Sequence, residues 1–160
     1  MYLFDSDILI QAKNTYYGFA ICPGFWSFLE REAEHGEIRS IRQVRMELEA
    51  GNDDLAEWAR RVPAFFLDPT PETNEAMRRV SAWVQAGDFT DTAKRDFLGR
   101  ADAFLVAHAL GAGYTVVTHE VRNNPGERKK VKIPTVCDAL GVPSERPYNV
   151  LRIRGAVFVL

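Results

Sequence analysis

Short runs of apolar residues alternate with apolar residues at helical spacing along this chain, and that alternation predicts its elements. Tyr2-Leu3-Phe4 is a short buried strand ending at a polar turn, Asp5-Ser6-Asp7, after which Ile8-Leu9-Ile10 opens a helix. Phe25, Phe28, Leu29 and Ala33 stand at helical spacing behind Pro23 and before Gly36, which predicts a helix over about 24–35. Ile38 to Ile41 is a brief strand or a connector. Ser40 and Gln43 have capping-box spacing ahead of Val44, Leu48 and Gly51, predicting a helix over about 41–50. Asn52-Asp53-Asp54 caps a short helix through Leu55 and Trp58, and Ala64-Phe65-Phe66-Leu67 is a second buried strand.

Thr70-Pro71-Glu72 starts a helix whose apolar face is Val80, Trp83 and Val84, with Gly87 as its end. A helical run over about 91–110, broken near Gly99-Arg100, stops at Gly111 and Gly113. Tyr114-Thr115-Val116-Val117-Thr118 is the clearest strand, and it runs straight into His119-Glu120. A loop over 122–132 follows, then a short helix near 134–140 ended by Gly141, and Ala156-Val157-Phe158-Val159 as a last strand. No internal repeat is present. Strands separated by helices imply crossover connections and hence a parallel, doubly wound α/β sheet.

A length of 160 residues favours one domain spanning 1–160, and 46% hydrophobic with 26% charged residues is the composition of a packed globular chain. No run approaches the length of a membrane span, and Met1-Tyr2-Leu3-Phe4-Asp5 lacks the basic and apolar regions of a signal peptide, so the expectation is a soluble, cytoplasmic protein with no membrane partner. Cys22 and Cys137 form no CxxC and read as free thiols. The net charge of −2 hides an asymmetry: residues 1–92 carry 9 Lys/Arg against 16 Asp/Glu, whereas 93–160 carry 11 against 6. A local basic surface is therefore compatible with a mildly acidic whole.

In open parallel sheets the ligand site lies beyond the carboxyl ends of the strands. Asp5 and Glu120 fall at two such ends, Asp102 opens a helix, and Glu47 is carried on the capped helix. Each alone has a plain structural reading as a cap, turn or solvated acid. Together they would repel, by about 4 kcal/mol for a pair about 4 Å apart at an effective dielectric of about 20, so a converging cluster must be protonated or hold a cation. Oxygen ligands without suitable His or Cys spacing point to Mg²⁺ or Mn²⁺ rather than zinc. A carboxylate-held ion of this kind polarises a phosphate and lowers the pKa of water, the equipment of phosphodiester hydrolysis.

Asp5 after the first strand, Val44-x-x-Glu47-Leu48 on a helix, Ala101-Asp102-Ala103-x-x-Val106-Ala107-x-Ala109 on a later helix, and Val116-Val117-Thr118-His119-Glu120 together resemble the PIN-domain nucleases. Phe25-Trp26, the stretch from Glu47 to Trp58, and Lys130-Val131-Lys132-Ile133-Pro134-x-Val136-Cys137 resemble a branch related to the VapC-type toxins of toxin–antitoxin modules. The likeness covers residues 2 to 141. It implies a three-layer α/β/α fold around a central, mostly parallel sheet, with Asp5, Glu47 and Asp102 as metal ligands and Glu120 where the family usually has an aspartate. It also gives Thr118, and with less support Ser6, a part in orienting a carboxylate or the scissile phosphate. The implied activity is Mg²⁺- or Mn²⁺-dependent endonucleolytic hydrolysis of RNA, tRNA or rRNA being the expected substrate, with a protein antitoxin and a homodimer as expected partners.

Arg122, Arg128, Lys129, Lys130 and Lys132 follow Glu120 within eleven residues and form either a solvated loop or a clamp on an RNA backbone. Arg42 and Arg45 stand near Glu47 and serve the same role or none. Tyr16 and Tyr17, beside Lys13, either pack or stack on an unpaired base. His108 and His119 are near acids in sequence but lack the Ser or Cys nucleophile of a triad. Phe25, Trp26, Phe28, Trp58 and Trp83 are chiefly core, or in part a partner surface. Two rivals remain: a non-catalytic PIN-like fold that binds RNA or protein, and a haloacid-dehalogenase-type phosphatase using Asp5 and Asp7. The second is disfavoured because Ile8 replaces the usual residue and Gly87-Asp88 follows no convincing strand.

Overall fold

A computed structural model describes residues 1–159. Five short strands, β1 (Tyr2–Phe4), β2 (Ile38–Ile41), β3 (Phe66–Leu67), β4 (Thr115–Val117) and β5 (Ser144–Glu145), form one all-parallel sheet in the order β3-β2-β1-β4-β5. Among the described residues nine α-helices cover it to give a three-layer α/β/α architecture: α1 (Ser6–Asn14), α2 (Pro23–Glu34), α3 (Arg42–Ala50), α4 (Asp54–Arg61), α5 (Pro71–Ala86), α6 (Asp91–Leu98), α7 (Ala101–Ala112), α8 (Ile133–Leu140) and α9 (Pro147–Ile153). From β1 the chain builds outward to β2 and β3, then returns to lay β4 and β5 on the other side. The strand order thus reverses between β1 and β4, where Leu3 pairs with Val116 and Phe4 with Val117.

The core is the one the apolar pattern implies. Leu3, Phe4, Ile38, Ile41, Val116 and Val117 are fully buried, and Phe25, Phe28 and Trp58 pack among them. The Trp58 ring lies 5.0 Å from Trp26 and 5.2 Å from Phe65, and its indole N–H donates to Glu30 at 2.9 Å. Trp83 is half-buried, so the aromatic residues serve the core rather than a broad exposed face. Helices α5 and α7 pack closely enough that a Cβ on Gly111 would stand 2.8 Å from the Glu72 carbonyl oxygen.

Several expectations change in detail. Ser6 and Asp7 belong to the first turn of α1 rather than to a preceding turn, which places Asp5 directly at the helix start. The Ser40 and Gln43 spacing is not a capping box: α3 begins after Ile41, and the Ser40 hydroxyl donates instead to the Phe4 carbonyl at 2.6 Å. That bond ties the end of β2 to the end of β1. The second buried strand is only Phe66–Leu67, preceded by a 3-10 turn over Pro63–Phe65. Ala156 to Val159 form no strand. The last strand is Ser144–Glu145, followed by α9, and Arg154 beyond it is held by the buried Glu32 at 2.7 Å and by Glu37 at 3.4 Å. No helix among the described residues is long and apolar enough to cross a membrane.

Candidate active site at the strand-order reversal

The site grows from the ends of β1 and β4. The Asp5 N–H donates to the Val117 carbonyl at 3.0 Å, which sets this residue one step beyond the ladder. Asp5 stands at the N-cap of α1, yet its carboxylate makes no cap bond. Its Oδ2 accepts from the Thr118 hydroxyl at 2.9 Å and its Oδ1 from Ser6 Oγ at 3.4 Å, so the side chain is aimed across the sheet edge and is only 3% exposed. Thr118, itself buried, accepts from the Glu120 N–H at 3.1 Å. One hydroxyl therefore fixes both the first acid and the backbone that presents the last.

Asp102 projects from the first turn of α7. Arg100 gives that helix no side-chain cap, and Glu47, from α3, supplies the missing acceptor: its Oε1 takes the Ala101 N–H at 3.0 Å. Glu120 does the same for α8, accepting the Ile133 N–H on Oε2 at 2.8 Å, while its Oε1 meets the Lys130 ammonium at 2.9 Å. Two of the four acids thus also fasten helix N-termini, where the positive end of the helix dipole favours a carboxylate.

Asp5, Asp7, Glu47, Asp102 and Glu120 line one open cleft of about 370 Å³, together with Ser6, Ile10, Arg100 and Lys130. Thr118 lies behind its wall. Lys130 and Arg100 offset only part of the negative charge. Burial, then repulsion from Asp102 and Asp7, pushes the Asp5 carboxyl up to about 8 against the opposing Thr118 bond. Burial, followed by Glu120, Glu47 and Asp7, raises Asp102 to about 6, with Lys130 opposing. Burial and these neighbours favour the protonated form of Asp5 near neutral pH, and Lys130 sits among the acids, where Glu120, Asp102 and Asp7 all hold the ammonium's pKa above its ordinary value.

The donor set suits a hard cation: carboxylate oxygens under mutual repulsion, with both cysteines elsewhere. As placed, no three His, Cys, Asp or Glu side chains among the described residues converge closely enough to cage an ion. The reason is visible in the bonds of Glu47 and Glu120, which are turned toward backbone N–H groups and Lys130. Asp5 and Asp102 are the direct candidates, and the two glutamates reach an ion only by sharing or exchanging those partners.

Of the five cations after Glu120, four are already paired: Arg122 with Asp138, Arg128 with Asp88 at 2.8 Å, Lys130 with Glu120, and Lys132 with Glu127 at 3.2 Å. Lys129 has no ion-pair partner among the described residues. It shares with Arg100, Asp102 and Lys130 a second groove of about 250 Å³ that continues from the acid cleft. Arg100 was not singled out by sequence, and its one signal is its place two residues before Asp102. Arg42 pairs loosely with Asp68 at 3.9 Å and Arg45 closely with Glu49 at 2.6 Å, and neither arginine lines the cleft. His108 is buried with an unpartnered Nε2, and burial takes its pKa down to about 4. His119 faces a different pocket, described below. Gly87-Asp88 follows α5 and no strand, so the phosphatase reading lacks its second acidic strand end.

The model of one family matches residues 2–158, described as a domain of unknown function (DUF4411). The chain belongs to that family. No curated protein matches it.

Proposed function

We propose that this chain is a metal-dependent endoribonuclease of PIN-like type, hydrolysing RNA phosphodiester bonds. The observation that carries the reading is the meeting of Asp5, Glu47, Asp102 and Glu120 in one cleft at the strand-order reversal, with Asp5 and Asp102 held far above the ordinary carboxylate range. Such a cluster is stabilised by a divalent cation, and these four acids are the groups that would hold Mg²⁺ or Mn²⁺. When bound, the ion supplies charge stabilisation at the phosphate and a more acidic water.

The chain's own groups perform the rest. Thr118 orients Asp5 through Oδ2 and is itself fixed by the Glu120 N–H, so the first acid is aimed before substrate arrives. Arg100 and Lys129, both exposed and without an ion pair among the described residues, bind the phosphates flanking the scissile one along the adjoining groove. Arg122 and Arg128 are paired instead with Asp138 and Asp88 and line neither the cleft nor the adjoining groove. A toxin role, with a protein antitoxin as partner and tRNA or rRNA as target, is the finer form of the proposal and rests on the resemblance to VapC-type proteins.

The test is cleavage of a tRNA and rRNA-fragment panel by wild type and Asp102→Ala prepared side by side, with Mg²⁺ or Mn²⁺ and with chelator. Discrete cuts made by wild type alone, and with metal alone, are the expected result. Binding that persists in chelator without cleavage in metal replaces it with the non-catalytic reading, for which the helix-capping bonds of Glu47 and Glu120 supply a structural use of the same acids.

A further inference from the structure

Behind the acid cleft, on the opposite face of α1, lies a second opening that the proposed cleavage does not use. The two share neighbours in sequence: Asp5 and Glu120 line the cleft, whereas Phe4 and His119, one residue earlier on each chain segment, line the opening. Along α1, Ser6, Asp7 and Ile10 face the acids, and Ile8, Gln11 and Ala12 face the other side. Asp7 stands between them, within electrostatic reach of Asp5, Asp102 and His119 alike.

This opening is a slit. Its enclosed space is about 20 Å³, room for about one water, so a ring would lie over its mouth against the exposed tyrosines rather than inside it. Its floor is apolar, with Phe4 and Phe25 fully buried. Its rims are aromatic and polar at once. Tyr16, 72% exposed, and Tyr17 come from the turn after α1, while Tyr148, 44% exposed, comes from α9 and stands 6.2 Å from the His119 ring. Tyr17 is immobilised by a parallel stack on Phe25 at 4.5 Å, and its carbonyl accepts the Trp26 indole N–H at 2.7 Å. The Gln11 amide and the three tyrosine hydroxyls have no hydrogen-bond partner within the described residues. Exposed rings over an apolar floor, edged by unpaired donors and acceptors, are the chemistry that takes up a nucleobase by stacking and reads its edge.

We propose that this slit is a base-binding subsite, in which an unpaired base of an RNA held at the acid cleft stacks against Tyr148 and Tyr16 while Gln11 bonds its edge. The site accepts single-stranded or looped RNA and discriminates against a continuous duplex, whose bases are not free to stack on the exposed rings. It rests on the reading of the acid cleft as the place where an RNA phosphate is held.

The test is fluorescence anisotropy with labelled ten-nucleotide oligo-A, oligo-C, oligo-G and oligo-U, and with an RNA duplex, in Mg²⁺. The protein is Asp102→Asn, so that cleavage does not consume the probe, with and without Tyr148→Ala, Tyr148→Phe, Tyr16→Ala and Gln11→Ala. Tyr148→Ala is expected to weaken single-strand binding about tenfold and to leave duplex binding unchanged. Tyr148→Phe, which keeps the ring, restores it, Tyr16→Ala weakens binding in the same way, and Gln11→Ala flattens the preference among the four oligomers. Unchanged single-strand affinity in Tyr148→Ala and Tyr16→Ala, or an equal loss for the duplex, overturns the subsite. If single strands bind in this tyrosine-dependent way while wild type cleaves nothing, the nuclease reading fails and the slit stands. If wild type cleaves and the tyrosine variants bind as before, the slit fails alone.

Discussion

Thr118 Oγ1 donates to Asp5 Oδ2 at 2.9 Å across the one junction of the sheet where strand order reverses. The bond is buried, and it is the largest influence opposing the rise of the Asp5 pKa. Thr118→Ala should push that carboxyl above about 8 and reduce metal-dependent cleavage by about 10- to 100-fold, the usual cost of losing a group that orients a ligand. Thr118→Ser should keep activity within a few-fold. A pH–rate profile of the three proteins checks both; identical profiles would show that the hydroxyl serves packing alone.

Stability in the absence of divalent ions should fall as pH rises through neutrality. Asp5 keeps its proton in the folded state up to about 8 but loses it in the unfolded chain near the ordinary carboxylate value of 3.8. Between those values the unfolded state binds fewer protons, so each pH unit favours unfolding, by up to about 1.4 kcal/mol. From pH 7 to 8 the expected loss is about 1 kcal/mol, a window above the folded-state transition of Asp102, near 6, and above 6.5, where His108, near 4 in the fold, titrates in the unfolded chain. Urea denaturation in chelator measures it. Asp5→Asn should remove most of the slope and should be more stable than wild type at pH 8.

Lys129 and Arg100, rather than the whole basic loop, should carry the salt dependence of RNA binding. Each phosphate contact on a single strand contributes about 0.7 to the slope of log affinity against log salt. Arg100→Ala and Lys129→Ala should each lower the slope by about that amount, whereas Arg122→Ala, whose guanidinium is engaged by Asp138, should leave it unchanged. Titrations at several salt concentrations decide the matter, and a slope change in Arg122→Ala would return the clamp to the loop.

Gly111→Ala should destabilise the fold, although alanine ordinarily favours a helix by about 1 kcal/mol. The added methyl would meet the Glu72 carbonyl oxygen at 2.8 Å and its carbon at 2.9 Å, backbone atoms at the start of α5 that have little room to move. A loss of about 1–3 kcal/mol, read by denaturant unfolding, is the expected cost of forcing α5 and α7 apart.

The legible parts of this molecule are those written in periodicity. Val116 and Val117 announced β4, Thr70-Pro71 fixed the start of α5, and the break at Gly99-Arg100 separated α6 from α7. What escaped was decided by partners distant in sequence. Ser40 has a capping residue's chemistry, but the Phe4 carbonyl in the neighbouring strand claims its hydroxyl. Ser144–Glu145 is too short to show alternation, and its pairing with Val116 and Val117 is all that makes it a strand. The four acids were visible as residue types at strand and helix ends. That Glu47 and Glu120 also cap α7 and α8 was not, because a cap supplied from another helix leaves no local spacing. The slit beside them escaped for the same reason: Tyr148 and Tyr16 come from opposite ends of the chain.

The strand at the centre of the sheet is the first to be made, and its pairing partner on the reversal side is among the last. Asp5 leaves the ribosome 113 residues before Thr118. At roughly 5–20 residues per second that interval is about 6 to 23 s. Throughout it β1 has no β4 to pair with, Asp5 has no hydroxyl to aim it, and Glu120 does not yet exist. The nascent chain therefore carries an unassembled cleft at least until Glu120 has been translated, and synthesis itself sets the earliest moment at which the four acids can meet.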